Sequence, residues 1–182
     1  MKSIAIFFAE GYEEIEALTV VDLCRRAGIQ TDMVSVTDSL TVTGSHQMPV
    51  VMDKVLADVD FDRLDMLVLP GGMPGTVNLE KNPVLMKQVQ AFAAAGKYIA
   101  AICAAPSVFG HLGLLKGKKA CCYPGFEEDL TGAKVSFEPC IVDGNVITGR
   151  GMGCAIDFSL AIITELLNVE EANELAAKII YR

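Results

Sequence analysis

Two hydrophobic patterns alternate along the chain. Short unbroken apolar runs are separated by longer stretches in which apolar and charged positions mix at helical spacing. Lys2–Phe8, Asp65–Leu69 and Lys97–Ile102 are of the first kind, as expected of parallel strands covered on both faces, and Thr31–Val36 reads as a further strand. Glu13–Ala27 is of the second kind. Ile15, Leu18, Val21 and Leu23 are predicted to face inward, and Gly28 stops the helix. A second helix is predicted from Asn82 or Pro83 to Ala95, ended by Gly96. A third runs from near Pro106 to Leu115–Gly117. Ala155–Leu167 is an apolar helix. Asn168, with Glu171 in the capping-box position, opens a last one.

The remaining segments are shorter. Val42–Thr43 and Val50–Met52 are predicted as brief, more exposed strands, and Val55–Leu64 as an Asp-rich connection. Lys118–Cys122 is a short strand, and Tyr123–Asp129 is a loop or a turn of helix. Lys134–Glu138 and Cys140–Thr148 flank turn chemistry at Asp143, Gly144 and Asn145, and Gly149–Gly153 is a glycine-rich loop. This order predicts a doubly wound α/β sandwich, with a mainly parallel sheet and helices on both faces. One domain is expected over residues 1–182.

Composition narrows the function. Half the residues are apolar and only a fifth are charged, which suits a compact fold rather than disorder. The formal net charge of −8 argues against nucleic acid and anionic membranes as general partners. No apolar run is long enough to span a bilayer, and the first apolar run reads as a strand rather than a signal peptide. The six cysteines include no C-x-x-C pair, and with two histidines the spacing of a zinc site is missing. The expectation is a cytoplasmic, thiol-reduced protein with no metal and no cofactor.

Candidate chemistry converges on Cys103. It lies where a buried strand passes into a helix, among Ala100, Ala101, Ala104 and Ala105. That placement exposes a side chain at the sheet edge, and the positive end of the helix is expected to lower the thiol pKa. A buried core cysteine remains the alternative. In doubly wound folds the site lies at the C-terminal ends of the strands. Three loops meet there: Ala9–Glu16, Pro70–Gly75 and the Cys103 turn. Glu13 and Glu14 fit as ordinary acids in a helix first turn. Glu16 lies among core-facing residues, where burial would keep it protonated and able to donate to a thiolate. The N–H groups of Gly72 and Ala104 are candidates to stabilise an oxyanion, and Gly71 is either part of that loop chemistry or a plain turn. Arg150 and Tyr123 either line the pocket or serve ordinary surface and core roles. His111 lies about eight residues along the same helix, roughly 12 Å from Cys103, and cannot reach back. His46, in a loop, approaches only from elsewhere in space or from a second subunit.

At these residues the chain resembles the ThiJ/PfpI superfamily. It is most like the branch holding the human parkinsonism-associated deglycase and its bacterial relatives. The matching stretches are AEGYEEIEA (Ala9–Ala17), VVDLCRRAG (Val20–Gly28), LVLPGG (Leu67–Gly72), AAICAAP (Ala100–Pro106), and TGRGMG with IDFSLAI (Thr148–Ile162). The resemblance covers essentially the whole chain. It implies a flavodoxin-like sandwich and a homodimer. Cys103 maps to the nucleophile, Glu16 to the protonated acid and Gly72 to the oxyanion glycine. It also implies action on reactive carbonyls or glycated molecules, glyoxalase- or deglycase-like, with chaperone and oxidation-sensing roles as the alternative. Tyr123 stands where many relatives have a histidine, and His46 where some have an anion-binding arginine. Ala104 stands where the protease-like branch has histidine, which argues against peptidase activity.

Overall fold

The computed structural model describes residues 1–181. Eleven strands and six helices follow in chain order. They are β1 (Ser3–Phe8), α1 (Glu14–Arg26), β2 (Gln30–Ser35), β3 (Thr41–Thr43), β4 (Pro49–Val51), β5 (Lys54–Val55), β6 (Met66–Leu69), α2 (Gly75–Glu80) and α3 (Pro83–Ala94). There follow β7 (Tyr98–Ile102), α4 (Pro106–His111), β8 (Lys119–Ala120), β9 (Lys134–Val135), β10 (Cys140–Asp143), β11 (Val146–Gly149), α5 (Ala155–Leu166) and α6 (Val169–Lys178).

The main sheet has seven strands in the order β10-β11-β7-β6-β1-β2-β5. All neighbours are parallel except β10, which returns antiparallel on β11 through the Asp143–Val146 turn. The chain therefore winds outward in both directions from β1, and the switch point lies between β1 and β6. A crevice opens there because successive loops leave on opposite faces of the sheet. This is the predicted doubly wound sandwich. Two cores fill it. Ile4, Ile6, Phe8, Val20, Cys24, Phe158 and Ile162 form one, under α1, α5 and α6. Ala5, Phe7, Leu67, Leu69, Val89, Val108 and Phe109 form the other, on the face of α3 and α4. β1 alternates between them, so its residues 4–8 are all apolar.

Several boundaries differ from the sequence reading. Ile15 is 48% exposed instead of inward. The buried stripe of α1 runs through Glu16, Ala17, Val20, Val21, Leu23 and Cys24, a helical phase that turns Ile15 outward. The helix after Cys103 ends at His111, because Gly110 weakens it and Gly113 takes a left-handed φ of 73°. Residues 75–80 form α2 directly after the glycine loop, a stretch for which the sequence reading names no element. The extended segments around residues 118–122 and 134–138 shrink to two residues each.

Candidate active site

The backbone at Cys103 explains why a side chain stands at this edge. Its φ is +66°, a left-handed conformation that costs a non-glycine residue of the order of 1 kcal/mol. Two hydrogen bonds hold it there. The Cys103 N–H donates to the Gly149 carbonyl of β11 (2.9 Å), and the Cys103 carbonyl accepts from the Tyr123 N–H (2.8 Å). The strand thus turns sharply into α4 and lifts the sulfur toward the crevice.

Glu16 reaches the same point from α1. Only 1% of its surface is exposed. Its Oε2 accepts from the Gly71 N–H at 2.9 Å, and its carboxyl hydrogen-bonds the Cys103 thiol. Gly71 is required for this approach. A Cβ there would lie 2.5 Å from the Cys103 Cβ and 2.7 Å from Glu16 Oε2, closer than such atoms come. The Gly71 carbonyl accepts from the Glu13 N–H (2.9 Å), which fixes the glycine loop to the start of α1. Gly72, at φ 88°, packs against the backbone of Tyr12 and Glu13. Its N–H and that of Ala104 both point at the Cys103 sulfur.

Burial pushes the Glu16 carboxyl from 4.5 up to about 7, with the Cys103 and Gly71 hydrogen bonds pulling the other way. Near neutrality it is therefore divided between acid and carboxylate. Burial, followed by the charge of Glu16, pushes the thiol of Cys103 up to about 12, while the Gly72 and Ala104 amides lower it. This reverses the expected lowering. α4 is a six-residue helix, and its field is weaker than desolvation beside an ionised carboxylate. The Cys103 thiol donates to ionised Glu16; in its acid form Glu16 can donate to the sulfur instead. The two groups are best described as sharing protons, and the acid form of Glu16 is the state that favours a thiolate.

The other expected residues are spread more widely. Tyr123 is half exposed, its N–H is bound to Cys103, and its ring lies against Gly151. Arg150 lies over the Phe137 ring, 5.5 Å from the centroid, and donates from Nη1 to the Phe137 carbonyl at 3.4 Å. The two histidines are engaged away from the sulfur. His46 Nδ1 lies 3.1 Å from Glu14 Oε2, and its N–H donates to Glu14 Oε1 at 2.8 Å. His111 sits between Glu80 and Asp129.

Glu14 departs from its expected place on a solvated first turn. It is only 2% exposed and stays ionised, held below the usual carboxylate range by backbone and His46 hydrogen bonds that outweigh burial. Gly44 leaves it room, since any side chain there would overlap the Glu14 carboxylate. Glu13, Glu14 and His46 bring their ligand atoms within 4.8 Å of one another. Residue spacing gives no hint of this, because the β3–β4 turn that supplies His46 folds over from a distant segment.

Known proteins share this chain's sequence pattern and fold. The DJ-1/PfpI family profile matches residues 2–165. Protein DJ-1 homolog B of Arabidopsis thaliana is 37% identical over 183 residues, all of this chain, though the chain spans only 42% of that protein's length. The Caenorhabditis elegans protein named glutathione-independent glyoxalase DJR-1.2 is 30% identical over 168 residues, 91% of this chain and 89% of that protein. Among solved structures, oxidized DJ-1 of Toxoplasma gondii superposes with a TM-score of 0.95 at 35% identity, covering 100% of this chain and 99% of that one. No helix among the described residues is long and apolar enough to cross a membrane. With profile, full-chain relatives and superposition in agreement, the chain belongs to the DJ-1/PfpI family.

Proposed function

We propose that the protein is a cysteine-dependent enzyme acting on reactive carbonyls or their adducts, with Cys103 as nucleophile. The observation that carries this reading is the hydrogen bond between Cys103 and a buried Glu16 that titrates at about 7, beside two amide N–H groups. The Cys103 thiolate attacks the aldehyde carbon of a 2-oxoaldehyde, and the carbonyl oxygen takes the proton of Glu16 in its acid form to give a hemithioacetal. Glu16, now a carboxylate, removes the hydrogen on that carbon as a proton, and the hemithioacetal hydroxyl passes its own proton to the neighbouring ketone oxygen. Returning the proton to the adjacent carbon gives the thioester of a 2-hydroxy acid. Water cleaves it, releasing the 2-hydroxy acid and returning a proton to Glu16 and the sulfur to its thiolate form. The sum is oxoaldehyde plus water to 2-hydroxy acid, with no external oxidant or reductant. A group with a pKa near neutrality suits both donation and removal. The Gly72 and Ala104 amides hold the oxygen as it gains charge. The glyoxalase name of the worm relative supports this substrate class. Purified protein is expected to convert methylglyoxal to lactate, and Cys103→Ser to lose that turnover. Full activity in the variant would refute the mechanism, and an inert wild type would refute the substrate class.

A second reading is an oxidation sensor or holdase without turnover. The same carboxyl and amide pair can hold a cysteine sulfinate, and the Toxoplasma relative was solved oxidized. Stoichiometric sulfinate confined to Cys103 after mild peroxide, with no carbonyl turnover, would favour it. Under either reading the proposal includes a cytoplasmic homodimer. A groove of about 720 Å³ runs between α1 and α6, with Ile15, Leu18 and Met48 in its wall. Asp22, Arg26 and Lys178 on its rim carry both signs of charge, which lets a second copy pair with the same face.

A further inference from the structure

Three short segments carry the groups around Cys103, and each is built alike. α2 follows the Gly71–Gly72 loop and ends at Glu80. α4 follows Cys103 and ends at His111. A 3-10 turn, Glu127–Asp129, follows Tyr123 and ends at Asp129. The three terminal residues meet. His111 Nδ1 lies 2.6 Å from Glu80 Oε1, and Nε2 lies 3.4 Å from Asp129 Oδ1. α4 and the 3-10 turn are also in backbone contact, because any side chain at Gly110 would overlap the Asp129 carbonyl.

We propose that His111 is a positioning residue that sets the spacing of these three segments, and so of the Gly72, Ala104 and Tyr123 backbones around Cys103. This rests on the reading of Cys103 as the reactive centre. The reasoning is electrostatic. Two carboxylates, at the C-terminal ends of two neighbouring segments, converge on one ring. The assembly balances only when that ring carries a charge and both nitrogens donate. In neutral imidazole one nitrogen becomes an acceptor facing a carboxylate, and that side opens. The charged groups facing the ring are Glu80 from α2 and Asp129 from the turn; the rest of α4 is uncharged. The Glu80 hydrogen bond leads in raising the His111 pKa above its usual value, with Asp129 adding to it and burial opposing. A raised imidazole pKa means that the contribution is complete below the ordinary histidine range and is lost as pH rises through the raised value.

Opening the junction lets the Gly72 and Ala104 amides move off the sulfur, which makes the thiolate less stable and slower to react. The test is the rate of Cys103 alkylation by iodoacetamide, followed by peptide mass mapping on the full chain. At about pH 6, wild type should react up to about fivefold faster than His111→Gln, the factor partly exposed ion pairs can supply. At about pH 9 the two should be equal, since both lack the charge. His111→Arg keeps a permanent forked cation. It should match wild type at about pH 6 and exceed it by up to about fivefold at about pH 9. A ratio of one throughout, or a ratio that does not change with pH, overturns the proposal. A merely structural role would lower the unfolding midpoint without this pH signature. If His111→Gln does not fold, the arginine comparison decides alone. Loss of methylglyoxal turnover with these ratios intact would refute the proposed reaction and leave this inference standing.

Discussion

Replacing Glu16 by glutamine gives the sharpest test of the site. The carboxyl moves from 4.5 in the unfolded chain to about 7 in the folded one. At about 1.36 kcal/mol for each pH decade, that difference is worth about 3 kcal/mol. The sign is opposite to that of a salt-bridged acid. A raised carboxyl pKa means that the native state holds its proton more tightly than the unfolded chain does. Stability therefore falls as pH rises from 4.5 through about 7, and above that range the whole penalty of burying the carboxylate is present. In Glu16→Gln the amide keeps the shape of the carboxyl. It can still accept from the Gly71 N–H while donating to the sulfur, and it does not titrate. Urea unfolding of both proteins at a series of pH values, from about 5 to about 8, isolates the effect as a difference. Titrations of His46 and His111 occur in both proteins and cancel. Relative to wild type, the glutamine variant should gain up to about 3 kcal/mol across that window. Parallel curves would refute the reasoning, because no group at position 16 could then be titrating near neutrality. The same substitution removes the charge that pushes the thiol up, so the Cys103 pKa should fall in the variant. Its turnover should nonetheless drop by about 10²–10⁴, since an amide cannot carry the proton.

Gly71→Ala should cost about 1–3 kcal/mol in urea unfolding, because the new methyl forces Cys103 and Glu16 apart; unchanged stability would show that the loop has slack. The pH dependence attributed to Glu16 should shrink in the same variant. Ile15→Glu puts a charge on the groove of α1 and should yield a monomer by sedimentation equilibrium if a second copy covers that face; an unaltered oligomer would place the interface elsewhere.

The fold was legible because burial on both faces leaves a strong mark. β1, β6 and β7 are apolar at consecutive positions, and only a central parallel strand demands that. Gly28 and Gly96 end their helices in left-handed conformations, as their positions in the chain suggest. Short pieces were less legible. α2 begins with Gly75 directly after Pro74, so its composition reads as loop, yet contact with Gly11 and Tyr12 holds it helical. The phase of α1 was misjudged for a physical reason. Hydrophobicity favours Ile15 over Glu16 in the core, but Gly71 and Cys103 supply hydrogen bonds that make burial of Glu16 tolerable, and a rotation that buries Glu16 must expose Ile15.

At the site, the residue types could be read from the chain but their electrostatic states could not. Position predicts that Cys103 stands at a strand end with glycine amides near it. It does not predict the sign of its pKa shift, which depends on whether desolvation and an ionised neighbour outweigh a short helix and two N–H groups. Glu14 and Glu16 make the same point within one turn of helix. Both are glutamates and both are almost fully buried. One is held ionised by the His46 N–H and ring, and the other is raised to about 7 because burial outweighs the hydrogen bonds of a thiol and a single amide. The difference lies in how deeply each carboxyl is set and in what distant segments bring: the β3–β4 turn to Glu14, and the loops after β6 and β7 to Glu16. A carboxyl proton that can move at neutral pH is thus placed beside Cys103, and this is why carbonyl chemistry is proposed for the crevice between β1, β6 and β7.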